Sequence, residues 1–280
     1  MSVERNLMSR IAAEMAAGRL TLPSLPEAAA TVGELVRRED VTAARLAAEI
    51  GKDPALAARL LRVANSAAVS GSGPPAESLT RAITKLGFNL TRALVSRMAI
   101  EQMFHPKSPA LKAYMRRIWR QSLEVAALSR VLAERLTILE PDTAMLAGLV
   151  HLVGVLPIVR LVDDHPELVR SEAELETAIA HMHQAVGRFV LKVWKFPPEL
   201  VEVPVLANDF LRHHDGPADY ADVVSVSLLQ LRGDAAGVLT EVDPGRVPAI
   251  AKLGLRPEAE VLEMPDLRGA YERTTLLLAA

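Results

Sequence analysis

The chain has 280 residues, of which 50 % are apolar and 24 % are charged, and this composition is that of a globular protein. It contains no cysteine, which excludes disulfides, cysteine-ligated zinc and a thiol nucleophile. The formal net charge of −2 gives no overall attraction to nucleic acid or to anionic lipid.

The N-terminal segment has the apolar periodicity of an amphipathic helix. Val3, Leu7, Ile11 and Met15 recur every four residues, which places them on one helix face, and Gly18 is expected to end the helix. The charged residues at the start of the chain are not followed by the apolar run of a signal peptide. We therefore expect a cytoplasmic protein.

Start and stop signals then mark out several short helices. Pro26 is expected to open a helix after a segment that two prolines keep extended. Thr42 is the predicted N-cap of a helix that ends at Gly51. Asp53 followed by Pro54 predicts another helix start, because the carboxylate caps the free N–H groups and proline has none to satisfy.

The rest of the chain is predicted to form longer helices. Its apolar residues follow the period of an α-helix, and no segment alternates with a period of two. The predicted helices cover residues 78–86, 89–104, 111–136, 172–195, 198–211 and 218–231, with two short helices near the C-terminus. The sequence therefore predicts an all-α fold.

One segment is apolar enough to raise the question of a membrane span. No formally charged side chain occurs from 143 to 159, and about 20 apolar residues make a spanning helix. The segment also contains His151, Gly154 and Pro157. We interpret it as a buried pair of helices broken near Gly154, in preference to a membrane span.

Four stretches of sequence occur in a fixed order between about residue 20 and residue 232. They are LPSLP at 22–26, DPAL at 53–56 running into RVANSA at 62–67, AITKLG at 82–87, and AGLVH at 147–151 with His183, WKFP at 194–197 and the histidines 213–214 after it. This ordered set resembles the HDOD family of bacterial signalling, whose members are relatives of the metal-dependent HD phosphohydrolases. The resemblance implies a compact, multi-helix HD-like domain and a regulatory role, usually without demonstrated hydrolysis.

The same resemblance suggests how the chain is divided. Residues 1–20 are expected to form a helix that packs on the core, and residues 21–232 to form the HDOD domain. Residues 233–280 are expected to be a helical extension of the same globule.

A catalytic HD site resembles a helical cage in which histidines and aspartates hold one or two metal ions. By the resemblance, Gln121 occupies the first histidine position, and His183 is a retained histidine. His151 keeps the second histidine position, but Leu152 stands where the adjacent aspartate is expected. The late aspartate would fall near 225–227, where serine and valine stand. Two imidazoles and an amide neutralise none of the charge of a divalent ion, so we expect no catalytic metal pair and no other cofactor.

The candidate residues also have ordinary structural roles. A histidine inside an apolar helix, such as His151, is more often a hydrogen-bonded core residue than a metal ligand. Gln121 lies between Ile118 and Val125 on the predicted inner face of its helix. Its buried amide then needs a partner, and His151 or a backbone carbonyl is the expected one.

The leading hypothesis is a non-catalytic output or regulatory protein of signal transduction. Its expected partner is a regulatory or signalling protein, or else a small ligand or nucleotide. Two groups of arginines are candidate contacts for an acidic partner or a phosphate, although such groups are usually the solvated side of a helix. They are Arg116, Arg117 and Arg120 in one helix, and Arg92 and Arg97 in another.

Two alternatives stay open at this point. The first is a residual metal-dependent phosphohydrolase that acts on nucleotides, which requires ligands that the sequence does not supply. The second is DNA binding through residues 42–66, which imitate a helix–turn–helix with Gly51 in its turn. The second helix of that motif begins with Asp53, which repels phosphate, and continues with small apolar residues that do not read bases. A nucleic acid partner is therefore not expected.

Overall fold

Sixteen α-helices and no β-strand occur in the part of the chain that the structure describes, and the predicted all-α class is confirmed. This computed structural model describes residues 3–17, 20, 22, 25–70, 74–103, 106–231 and 242–279. The helices are α1 (Val3–Ala16), α2 (Glu27–Leu35), α3 (Ala43–Ile50), α4 (Pro54–Ala64), α5 (Ala67–Ser70), α6 (Leu79–Leu86), α7 (Phe88–Gln102), α8 (Pro109–Leu136), α9 (Pro141–Val150), α10 (Val155–Asp164), α11 (Glu172–Val193), α12 (Pro198–Val201), α13 (Val203–Leu206), α14 (Tyr220–Leu231), α15 (Pro248–Lys252) and α16 (Pro265–Ala279).

The short N-terminal helices begin and end at the residues that the capping signals predict. The Thr42 side chain accepts a hydrogen bond from a backbone N–H of α3, and the Asp53 carboxylate accepts two from the first turn of α4. Gly87 separates α6 from α7 with a φ of 80°, in the left-handed region that glycine adopts at little cost. The predicted stop at Gly18 lies outside the described residues.

Two predicted helices differ from the observed ones. The single helix expected over 198–211 is divided into α12 and α13, because Pro204 has no N–H for a continuous helix and is tolerated in the first turn of a new one. The C-terminal pair is also not uniformly short. The last helix, α16, has 15 residues, and its buried residues recur at helical spacing.

The centre of the protein is formed by α7, α8 and α9. Every residue of α7 from 90 to 100 is buried, and so is every residue of α9 from 143 to 150. A link of only four residues joins α8 to α9, which makes the two helices antiparallel neighbours. A Cβ on Gly148 would lie 2.6 Å from the Cα of Ala126, so α9 lies directly against the backbone of α8.

The apolar segment from Pro141 to Asp164 is long and hydrophobic enough to cross a membrane by length and composition, with a hydropathy of 2.1. In the structure 89 % of the most apolar 18-residue window in this stretch is buried inside the protein. It forms α9 and α10, with a turn at 151–154 between them. The segment therefore has the burial of a core helix pair, and the break near Gly154 is confirmed.

The C-terminal helices pack on the same central helix. Residues of α14, α15 and α16 form an apolar cluster with the second half of α8. Residues 232–241 lie outside the described residues. The division of the chain at residues 20 and 232 remains a prediction.

Candidate functional site

Two close backbone contacts hold the turn between α9 and α10 in the middle of the protein. Before this turn, Gly148 lies against Ala126 of α8. After it, a Cβ on Gly154 would lie 2.0 Å from the backbone oxygen of His183 and 2.5 Å from the backbone nitrogen of Gly187, both in α11. The turn that carries His151 is therefore held between α8 and α11.

Gln121 lies on the stretch of α8 that faces this turn. Because α8 and α9 are antiparallel, the step from Gly148 to His151 corresponds to a step of about one helical turn back along α8 from Ala126. That step leads to residues 122–123, directly after Gln121. Gln121 therefore lies at the edge of the stretch of α8 that faces the His151 turn.

The predicted hydrogen bond of the Gln121 amide is wrong. Within the described residues, the buried Nε2 atom of Gln121 has no hydrogen-bond partner. Nδ1 of His151 lies 2.6 Å from the Gly148 carbonyl oxygen, and Nε2 of His151 also has no hydrogen-bond partner among the described residues. The Gln121 amide therefore remains a buried donor without an acceptor.

The two histidines are buried, and both rings carry their proton on Nδ1. His151 is 1 % exposed and His183 is 4 % exposed. Nδ1 of His183 lies 2.8 Å from the Ile179 carbonyl oxygen, and a carbonyl only accepts, so Nδ1 is the donor in both rings. His151 is thus buried and hydrogen-bonded, as a core histidine would be. In the described part of the chain, Nε2 of each ring has no hydrogen-bond partner.

Burial keeps both imidazoles neutral. It lowers the pKa of His151 to about 4, with a smaller contribution from the nearby His183. Burial likewise lowers the pKa of His183. Among the residues described, no acidic side chain lies close enough to raise the pKa of either ring.

These residues do not fit a catalytic metal pair. A neutral ring that donates Nδ1–H to a carbonyl presents Nε2 in the form that a metal ligand needs. The anionic ligands are the missing part, because Leu152, beside His151, is apolar and 3 % exposed. The hydroxyl of Ser225 donates to the Ala207 carbonyl, and that of Ser227 to the Val223 carbonyl. Neither serine replaces a carboxylate.

A second polar cluster lies where α14 begins, and the sequence analysis did not identify it. His214, Asp219 and Asp222 are the one group of at least three potential ligand side chains that the described residues bring together. Arg212 donates to both carboxylates at 2.6–2.7 Å, and Lys252 donates to the His214 backbone oxygen at 2.9 Å. Arg212 pairs with both acids, and Nε2 of His214 lies 2.8 Å from Asp222, so this cluster is a structural ion network that ties the preceding loop to α14. Only the Asp-x-x-Asp capping pattern at 219–222 could have signalled it.

The two groups of arginines have different environments. Arg116, Arg117 and Arg120 are exposed, as expected for the solvated side of a helix. Arg92 is only 7 % exposed and Arg97 only 4 %, so the expectation of a solvated face is wrong for this pair. The reason is the central position of α7, which is surrounded by other helices.

The segment that imitates a helix–turn–helix begins its second helix, α4, with small apolar residues on the outside. Pro54 and Ala58 are exposed, and such side chains do not form base-specific hydrogen bonds. Further along α4, Arg59 pairs with Glu101 and Arg62 is exposed. The start of α4, which a reader of bases would insert into a groove, therefore offers no polar side chain.

Comparisons with known proteins agree with this architecture. The HDOD domain family matches residues 22–209. No curated protein matches the chain. A solved structure from Shewanella amazonensis SB2B, provisionally named a metal-dependent phosphohydrolase, is 31 % identical, with a TM-score of 0.83 over 99 % of this chain and 100 % of that one.

Two further solved structures share the fold. One is a provisionally named signal transduction protein from Marinobacter aquaeolei VT8, at 23 % identity and a TM-score of 0.68, over 94 % of this chain and 61 % of that one. The other is an HDOD domain protein of unknown function from Geobacter sulfurreducens, at 24 % identity and a TM-score of 0.65, over 99 % and 94 % of the two chains. Together with the match over residues 22–209, these findings show that the chain belongs to the HDOD domain family.

Proposed function

We propose that this protein is a non-catalytic regulatory component of bacterial signal transduction. In this proposal it acts by binding a regulatory or signalling protein, or a small ligand or nucleotide, from the cytoplasm. The cage at Gln121, His151 and His183 is the relic of a metal site and serves as a scaffold. The names of the structural relatives include both a signal transduction protein and a phosphohydrolase, so the choice depends on the residues of this chain.

The observation that supports the proposal is the apolar side chain of Leu152 next to His151. Hydrolysis of a phosphate ester by divalent metals requires ligands that offset the charge of the ions and orient a water molecule. Here two neutral imidazoles, whose pKa values are lowered by burial, offer no negative charge. A divalent ion in this place would keep its full charge in an apolar environment, which is strongly unfavourable.

The competing hypothesis, a metal-dependent phosphohydrolase, is tested by a turnover assay. The purified protein is incubated with Mn²⁺ or Mg²⁺ and with cyclic dinucleotides or nucleoside monophosphates. We expect the wild type to release no more product than the His151→Ala variant. The control variant is His181→Ala, which changes an exposed histidine of the same helix as His183.

Metal-dependent turnover that is present in the wild type and in His181→Ala, but lost in His151→Ala, would overturn the proposal. Turnover that is equal in all three proteins would identify a contaminating hydrolase, and the proposal would stand.

A further inference from the structure

The guanidinium of Arg92 is buried without a carboxylate beside it. Arg92 is 7 % exposed, and within the described residues no carboxylate oxygen lies within 4.0 Å of it, the distance that defines an ion pair. Its Nη2 atom donates to the Thr143 hydroxyl at 2.7 Å, but Nε has no hydrogen-bond partner among the residues that the structure describes. An ionised group in such a place is costly unless something pairs with it.

Glu140 and Glu199 favour the charged form of Arg92 without forming an ion pair with it, but the effect of burial is larger. The Thr143 hydroxyl that accepts from Arg92 donates in turn to a carboxylate oxygen of Glu140 at 2.7 Å. Glu140 also accepts backbone hydrogen bonds at the start of α9, so its lone pairs are largely committed to capping. Burial accordingly lowers the pKa of Arg92.

Arg92 lines a cavity that opens at the protein surface. The cavity lies between α2, α7 and the turn after α11, and the space in it for the centre of a water-sized group is about 20 Å³, which corresponds to roughly one such group. Three of its lining residues are cationic and one, Glu34, is acidic. The lining residues that matter here are Arg92, Ser96, Arg37, Lys195, Trp194 and Phe196.

The rim of this cavity is fixed in place. Arg37 donates through Nη1 to the Lys195 backbone oxygen at 3.2 Å, which ties α2 to the turn after α11. Lys195 adopts a φ of 55°, a left-handed conformation that is uncommon for a residue with a side chain. Its Nζ atom lies 3.7 Å from Glu34, so the acidic residue of the rim faces a lysine.

We infer that this cavity binds one anionic group, the carboxylate or phosphate end of a small molecule. The anion would accept from the Arg92 guanidinium and place a negative charge in direct contact with it, which Glu140 and Glu199 do not. Because the cavity has space for little more than one water-sized group, only the charged end would enter it, and the rest of the molecule would lie at the rim against Trp194 and Phe196. The inference deepens the proposed function, because it names the chemistry of a small ligand, but the site is separate from the cage at His151.

Arg97 shows that burial of an arginine is not the whole argument. It belongs to the same helix and is 4 % exposed, but it has Glu101 at 3.9 Å and does not line the cavity. Glu101 also pairs with Arg59, so replacement of Arg97 leaves that carboxylate with a partner. Arg97 therefore provides a matched control.

The test is a titration of the full-length protein with inorganic phosphate and, separately, with acetate, at constant ionic strength. Calorimetry and the thermal midpoint are the two readouts for the wild type, Arg92→Met and Arg97→Met. We expect saturable binding of at least one anion by the wild type and by Arg97→Met. In Arg92→Met we expect the Kd to rise at least about tenfold, since a charge-assisted pair is lost. The anion that binds with the lower Kd identifies phosphate or carboxylate as the chemical group of the ligand.

Absence of saturable binding of either anion to the wild type would overturn the inference, as would equal binding by the wild type and Arg92→Met. If Arg92→Met does not fold, the exposed Arg37 is replaced by Met instead, and its Kd is expected to rise about threefold; an unchanged Kd would then count against the site. The titration shares no variant with the turnover assay, so either the anion site or the non-catalytic role can fail without the other.

Discussion

Gly154 and His183 are in contact through their backbones, so closely that a Cβ on residue 154 would stand 2.0 Å from the His183 carbonyl oxygen. Only a residue without a side chain allows α10 to begin at this distance from α11. The position of His183 relative to the His151 turn therefore depends on Gly154.

Gly154→Ala is expected to lower the free energy of unfolding by about 3 kcal/mol or more, because the atoms that the new Cβ would meet are backbone atoms of His183 and Gly187 and have no rotamer that avoids the clash. Chemical denaturation measures the change. The control is Gly33→Ala in α2, where a Cβ would meet nothing within 4 Å and where alanine should stabilise the helix by about 0.5–1 kcal/mol. Equal stability of Gly154→Ala and the wild type would show that α10 and α11 are not packed as described.

Acidification should destabilise the protein through its buried histidines. The pKa of His151 is lowered from 6.5 to about 4, so between these pH values the unfolded chain binds a proton that the folded chain does not. The contribution of His151 to the free energy of unfolding is therefore fully present above pH 6.5. It is lost as the pH falls towards 4, and the loss is on the order of 3 kcal/mol. The lowered pKa of His183 acts in the same direction.

His151→Asn isolates this contribution, because the asparagine amide can donate to the Gly148 carbonyl as Nδ1 does but does not titrate. We expect the unfolding free energy of this variant to fall less steeply between pH 7 and pH 4.5 than that of the wild type. His181→Asn, which removes an exposed histidine, should keep the wild-type slope. Parallel pH profiles for the wild type and His151→Asn would refute the burial of a neutral His151.

The double variant Gln121→His with Leu152→Asp tests whether these two positions face a common cage. The buried aspartate should lower the thermal midpoint without metal, and Mn²⁺ should raise it again by pairing with the new ligands. The matched control, Gln121→His with Leu152→Asn, has nearly the same shape without the charge and should respond less to Mn²⁺. If Mn²⁺ affects the two double variants equally, the assignment of Gln121 and Leu152 to the cage is wrong.

Local features of this fold were predictable from sequence, and features that depend on distant contacts were not. Thr42, Asp53 and Gly87 end or begin helices through atoms a few residues away, so their signals are local. The burial of Arg92 depends on the helices that surround α7, and a charged residue in one helix carries no signal of that environment. The link from Arg212 to Asp222 likewise depends on a loop that returns the arginine to α14.

The candidate site was predictable in its residues but not in its hydrogen bonds. The ordered sequence stretches led to His151, His183 and Gln121, and helix packing brings the turn of His151 between α8 and α11. The direction of each ring was not predictable, because it depends on which carbonyl lies within reach of Nδ1. The Nε2 atom of Gln121 and the Nε2 atoms of both rings are buried without partners in the described part of the chain, and no pattern in the sequence signals this.

The central claim is that the cage lacks the acidic ligands for a catalytic metal, and the most direct test is the metal content of the native protein. The protein is purified without chelators and dialysed against Mn²⁺, free metal is removed, and the bound Mn²⁺ per protein is measured by inductively coupled plasma mass spectrometry. We expect the same low Mn²⁺ content in the wild type and in a double variant with His151→Ala and His183→Ala. A stoichiometric, tightly held ion in the wild type that the double variant loses would contradict it.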